Sequence, residues 1–280
     1  MINLENYSTN LIEREGIYFS KKESKISYPE DGNDSYFKIE DNSFWFQHRN
    51  NFIVEGVLKY SPESLFFDIG GGNGFVSKAI ENKGVPTVLV EPGIQGCLNA
   101  KKRGLENIVC STLENGSFKK NTIPSIGLFD VVEHIEDDKD FLKSIYDFLT
   151  PDGYVYITVP AFNALWSNED KDVGHYRRYS LKEITIKLTN VGFTIEYSTY
   201  FFSILPIAVF LFRSIPSRLG LNKNSDEINK LKKEHGSEKG LMAKLLKLIW
   251  NFEIKKIKDG KKIMIGGSCF VIARKNTDFI

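Results

Sequence analysis

Leu65 to Lys83 reads LFFDIGGGNGFVSKAIENK, and the order of residue types in it decides the fold. Leu65 to Ile69 is an apolar run without alternation, the pattern of a parallel strand buried on both faces. Phe75 to Lys83 then has the character of a helix. Between them stand glycines, which let the chain turn sharply and let a ligand come close to the backbone. The helix that follows offers N–H groups in its first turn that no helical carbonyl uses. A flat or anionic ligand is expected on this turn.

Spacing narrows the ligand. A dinucleotide fingerprint needs G-x-G-x-x-G, but the sixth position counted from Gly70 is Phe75 and from Gly72 is Ser77. A phosphate-binding P-loop needs Gly-Lys-Ser/Thr, and Gly74 is followed by Phe75 and Val76. What remains is D-x-G-x-G-x-G, satisfied by Asp68, Gly70, Gly72 and Gly74. This pattern resembles motif I of the class I S-adenosylmethionine-dependent methyltransferases. The resemblance implies S-adenosylmethionine as cofactor, S-adenosylhomocysteine as product, and Asp68, Gly70, Gly71 and Gly72 at the cofactor.

Further along, Thr87 to Val90 reads as a second buried strand and ends in Glu91, about twenty positions beyond the glycine turn. A carboxylate at that strand tip can accept both hydroxyls of a ribose. VLVEP is similar to the family's next motif, which sets Pro92 beside the adenine. Thr112, just past the strand of Asn107 to Cys110, is also implied at the cofactor. The run LFDVVEHIEDDKDFLKSIYDFLTPDGYVYITVP, residues 128–160, resembles the segment of many small-molecule methyltransferases that carries D-x-x-E-H, a helix, a Pro-x-Gly turn and the next strand. On that likeness Asp130 lies near the methionine part of the cofactor. His134 stands at the strand's carboxyl end, where open α/β sheets bind ligands, either as a capping residue or as a catalytic one.

HYRRYS, His175 to Ser180, puts aromatic, cationic and imidazole groups together in a loop after the fifth strand, a place that tends to carry function. With AFNALWSNED before it and SFWFQHRNNFI far upstream, it resembles a bacterial subfamily common among cell-surface polysaccharide and lipid biosynthesis enzymes. That likeness implies that Trp45, Phe46 and Arg49 close over the cofactor; for the two aromatics, plain core packing is the competing reading. His175, Arg178 and Tyr179 are read as binding the acceptor, and His134, His175 and Tyr179 as the catalytic candidates. No metal ion is called for: methyl transfer needs alignment and dryness, and a base only where the acceptor is a hydroxyl.

The alternation of strands and helices predicts an α/β fold, a Rossmann-like three-layer sandwich around a mostly parallel seven-stranded sheet whose last strand is antiparallel. Residues 1–42 read as an irregular arm and 43–280 as the methyltransferase domain. A helix over 43–60 precedes the first strand, and Ser180 with Glu183 caps another helix. A helical insertion of about 201–262 precedes the last strand. That insertion holds 14 Lys and Arg against 6 Asp and Glu over 213–262. Its helix sets Leu241, Leu245, Leu248, Ile249 and Phe252 opposite Lys244, Lys247, Lys255 and Lys258. It reads as a lid or homodimer surface, or as a peripheral membrane contact over 201–258 that receives a lipid-like acceptor.

The apolar run Phe201 to Phe212, broken by Pro206, is about half the ~20 residues of a spanning helix. The first residues do not read as a secretory signal, and the three scattered cysteines suit a reduced, cytoplasmic setting. The net charge of +1 gives no general field for nucleic acid. The expected reaction is transfer of a methyl group to a small-molecule or lipid-linked acceptor, most simply at oxygen. A non-catalytic cofactor-binding protein and an RNA methyltransferase are the alternatives; no N/D-P-P-Y/F follows the fourth strand, which counts against methylation of nucleic-acid amines.

Overall fold

The structure is a computed structural model and describes residues 2–21, 36–60, 64–218, 220 and 241–276. Residues 22–35 of the expected arm and 221–240 of the expected insertion therefore lie outside the description. The strands are β1 (Leu11–Arg14), β2 (Ile17–Ser20), β3 (Phe66–Ile69), β4 (Thr87–Val90), β5 (Ile108–Cys110), β6 (Ile123–Phe129), β7 (Leu149–Pro160), β8 (Phe193–Phe201) and β9 (Ser268–Lys275). They form one sheet in the order β1-β2-β5-β4-β3-β6-β7-β9-β8. Neighbours from β5 to β7 are parallel, and β9 runs antiparallel between β7 and β8.

The α/β class and the reversed last strand are as expected, but the sheet has nine strands where seven were predicted. The two extra strands form a hairpin in the segment read as irregular, and β2 adds to β5 in parallel. Its turn, Glu15-Gly16, has both φ values positive, at 51° and 74°, as a tight two-residue hairpin requires. Most of the hairpin's side chains are half-buried or exposed and Ile17 alone is buried, so no clear alternation marks it in the sequence.

Helices cover both faces. On one, α4 (Asp138–Phe148) and α6 (Leu181–Val191) bury Leu142, Ile145, Ile184 and Leu188 against Phe67, Val88, Ile126 and Ile157. On the other, α1 (Phe44–Tyr60), α2 (Phe75–Glu81) and α9 (Leu241–Lys258) pack Phe52, Val57, Ile80 and Ile257 against Phe66, Tyr156 and Phe270. The flanking helix α3 (Ile94–Lys102) lies over β4 and β5. Ser180 and Glu183 close the predicted capping box on α6.

Helix α9 leaves most of its predicted apolar side uncovered and buries another. Trp250, Glu253 and Ile257 point inward, whereas Leu245, Leu248 and Phe252 are exposed; the side chain of Leu241 is outside the description. Glu253 is buried because it is satisfied: it accepts from the backbone N–H of Phe202 (2.9 Å) and Ser203 (2.7 Å) and from the Ser203 hydroxyl (2.6 Å), and bonds the His48 ring at 2.9 Å. Burial alone would raise its pKa, but these partners hold it below the usual value. The His48 ring stacks on Trp250 at 4.8 Å. Helix α9 is thus fixed to α1 and to the end of β8. Among the described residues no helix is long and apolar enough to cross a membrane.

Candidate active site

The parallel strands deliver their last residues to one edge of the sheet, where open α/β folds bind ligands. The glycine loop leaves β3 there. Gly70, Gly72 and Gly74 have φ of 69°, 53° and 71°, conformations that cost L side chains strain. Gly71 is fixed by space instead: a Cβ on it would lie 2.4 Å from Leu89 Cδ1 and 2.6 Å from Asp68 Oδ2. Residues 70–72 stay half-open to solvent, so the loop is a cradle that a planar ligand could enter.

Asp68 lies beneath this cradle, fully buried, and accepts the Ser77 hydroxyl at 2.6 Å, which ties β3 to α2. Burial pushes its pKa up to about 6. Glu91, at the tip of β4, accepts the Gly72 N–H at 2.9 Å and the Gly93 N–H at 2.7 Å. It is nearly buried, and burial pushes its pKa up to about 7. Gly96 lets α3 come close, since a Cβ there would meet Gly72 O at 2.8 Å and Glu91 Cγ at 3.0 Å. The half-buried Pro92 touches Cys110 of the next strand through its carbonyl (3.8 Å). Thr112 follows that strand and accepts the Asn115 N–H at 3.2 Å. The predicted cofactor residues of β3, β4 and β5 therefore meet at one edge.

Asp130, at φ 59°, turns the chain at the end of β6. Its carboxylate takes Arg49 Nε at 2.8 Å and Nη2 at 2.6 Å, and accepts from Thr158 Oγ1 at 3.0 Å. Arg49, predicted far upstream, is thus at the site. Trp45, one turn earlier on α1, stacks on Phe202 at 4.9 Å with nearly parallel rings and stands edge-on to Phe46. Trp45 packs against the cluster under α1, as the core-packing reading has it, and the half-buried Phe46 meets the rings of Trp45 and Tyr36.

The next turn, Val132–His134, and the loop after β7 come together as a second group. Glu133 is fully buried, and both its oxygens lack a hydrogen-bond partner among the described residues. Burial, and then Asp130, push its pKa well above the carboxylate range. The rings of His134 and His175 stand 4.7 Å apart, edge to face. Burial, and then His175, push the His134 pKa down to about 4, so its imidazole is neutral near pH 7. His175 Nδ1 lies 2.9 Å from Asp170 Oδ1, and its Nε2 lies 4.0 Å from Glu133 Oε1. Burial works to raise Asp170, but His175 and the Arg178 guanidinium (Nε to Oδ1, 2.7 Å) hold it down at about 2. An ionised Asp170 accepts the Nδ1–H and leaves the Nε2 lone pair facing inward.

Tyr179, predicted as catalytic, is not in this group. It is buried, bridges Ala161, and donates its hydroxyl to Asp138 Oδ2 at 2.7 Å; burial and that carboxylate push its pKa far up. It anchors the loop to α4. Two residues given no role from sequence, Glu133 and Asp170, are central. Asp170 carried a signal: Ser167 and Asp170 form a capping box on α5 (Asn168–Asp172), an S-x-x-D pattern legible in the sequence.

A parallel sheet with this glycine turn, an acid at the next strand tip and one reversed strand defines the class I S-adenosylmethionine-dependent methyltransferase fold. The model of a family described as methyltransferase domain matches residues 46–198, and the chain belongs to that family. No curated protein matches the sequence. Among solved structures, Haemonchus contortus phosphoethanolamine N-methyltransferase 2, bound to S-adenosylmethionine, is similar over 93% of this chain at 19% identity and a TM-score of 0.55. This chain spans only 62% of that protein's length. An S-adenosylmethionine-dependent methyltransferase of Thermotoga maritima matches over 88% of this chain and 96% of its own at 14% identity, TM-score 0.53. A Haloferax volcanii protein solved with the Trm112 methyltransferase activator matches over 90% and 99% at 11% identity, TM-score 0.56.

Proposed function

We propose that this chain moves the methyl group of S-adenosylmethionine to a hydroxyl of a small-molecule or lipid-linked acceptor, releasing S-adenosylhomocysteine. S-adenosylmethionine supplies the reactive carbon and the leaving sulfur. The glycine loop, Glu91, Pro92 and Thr112 would hold its adenosyl part, and Asp130 with Arg49 its methionine end. The site would hold the acceptor oxygen in line with the methyl carbon, and the Glu133, His134 and His175 cluster would lie where the hydroxyl proton departs. The protein's contribution is alignment and a dry site.

The observation that carries this reading is His175, oriented by Asp170 so that Nε2 faces Glu133 next to the methionine-end residues. A plain amine acceptor is nucleophilic once neutral and has less need of such an arrangement. The lipid-linked option is supported by the exposed Ile207, Leu211, Leu245, Leu248 and Phe252. Of these, Ile207 and Leu211 lie on a segment that packs beside the acceptor loop: Ser214 Oγ donates to Leu165 O, and Arg213 pairs with Glu169. That surface would rest on an anionic membrane face from the cytoplasmic side. A homodimer through the same surface is the competing use of it.

The test is a methyl-label assay with S-adenosylmethionine and hydroxyl-bearing acceptors, both water-soluble and lipid-linked. Label is expected in an ether product, with the lipid-linked series turned over faster. Label found only in amine products would overturn the assignment to oxygen. Cofactor binding with no transfer to any acceptor would favour a non-catalytic binding protein.

A further inference from the structure

We propose that Glu133, His134 and His175 form a binding site for a first-row divalent transition metal ion, of which Zn2+ is the representative, beside the methionine end of the cofactor site. One ligand atom from each residue can be chosen so that all lie within 4.8 Å of one another. In a tetrahedral site with bonds of about 2.1 Å, ligand atoms are about 3.4 Å apart. The cluster needs to close by up to about 1.4 Å around an ion.

Glu133 points to a ligand independently of that spacing. A fully buried carboxylate whose two oxygens have no hydrogen-bond partner among the described residues is costly in either charge state: ionised it shares the charges of Arg49 and Arg178 with Asp130 and Asp170, and protonated it still lacks hydrogen-bond partners. The nearest cations are already engaged, Arg49 with Asp130 and Arg178 with Asp170. A divalent ion answers the need of the carboxylate directly. Two further features suit a metal. His175 gives its Nδ1–H to an ionised carboxylate and turns Nε2 inward, the arrangement by which an outer carboxylate fixes the tautomer of a metal-binding imidazole. The His134 ring takes a hydrogen bond with the backbone of Gly174, which fixes its orientation in the cluster. The backbone also locks the parts together, since Tyr176 N–H donates to Glu133 O at 2.8 Å.

Two imidazoles and one carboxylate select transition metals over Mg2+ or Ca2+, and three protein ligands leave a position open. This inference rests on the cluster being the acceptor end. An acceptor hydroxyl in the open position would be acidified by the cation, and its proton would pass to solvent. The histidines then act as ligands.

The chain, stripped with a chelator, is titrated with Zn2+ by calorimetry and with Co2+ by visible absorption. About one equivalent is expected to bind, with Co2+ giving the intense bands of a low-coordinate site. Glu133→Gln and His175→Ala are each expected to weaken binding at least tenfold. S-adenosylmethionine affinity and the far-ultraviolet dichroism spectrum serve as folding controls and should not change. Absence of saturable binding by the wild-type chain, or wild-type affinity in both variants, would overturn the site. The cofactor arm keeps the two readings apart: metal binding without cofactor binding sinks the methyltransferase assignment alone, and the converse sinks the metal alone.

Discussion

Gly72→Val is expected to raise the dissociation constant for S-adenosylmethionine at least 100-fold while leaving the chain folded. The residue sits at φ 53°, where a β-branched side chain costs about 1–3 kcal/mol. A domain with the usual 5–15 kcal/mol of stability survives that. The loop relaxes instead, and its N–H moves from Glu91 Oε2, now 2.9 Å away. Calorimetry gives the affinity and denaturant unfolding the stability; wild-type affinity in the folded variant would show that the cofactor lies elsewhere.

His175→Ala is expected to lower kcat by about 10²–10⁴-fold, the usual worth of a group that takes the acceptor proton, and with a metal ion bound the loss of the ligand that holds the acidifying cation lowers it in the same direction. Affinity for S-adenosylmethionine should stay within about threefold, because His175 touches none of Gly70, Gly72, Glu91 or Thr112. Asp170→Asn should fall in the same direction by a smaller factor: its amide can donate to Nδ1 and so invert the tautomer that the carboxylate enforces. Steady-state kinetics on the methyl-label assay check both. An unchanged kcat in His175→Ala would remove the imidazole from the reaction.

Local chemistry explains what could be read from the chain. The strand, glycine turn and helix of residues 65–83 and the acid at position 91 depend on neighbours close in sequence, and the sheet brings Glu91 to Gly72 as the motif implies. Arg49 was placed at the cofactor only through a resemblance, and it reaches the site by pairing with Asp130, 81 residues away. The importance of Glu133 was not visible, because its burial is produced by the loop carrying His175, which folds over it from far along the chain. The inward face of helix α9 was hidden for the same reason. Its Glu253 looks solvent-facing by type, yet it is buried by donors from Phe202, Ser203 and His48, which rotates Leu248 and Phe252 outward. The β1–β2 hairpin escaped because a short, mostly exposed edge has little apolar periodicity to show.

On the proposed function, the loop of residues 70–74 and Glu91 hold the adenosyl group of S-adenosylmethionine. A crystal structure of the chain with S-adenosylhomocysteine measures this directly. The adenosine is expected against Gly70 to Gly72, its ribose hydroxyls on the Glu91 carboxylate and its adenine beside Pro92. A vacant loop at saturating ligand, or a nicotinamide or nucleoside triphosphate bound there in its place, would contradict it.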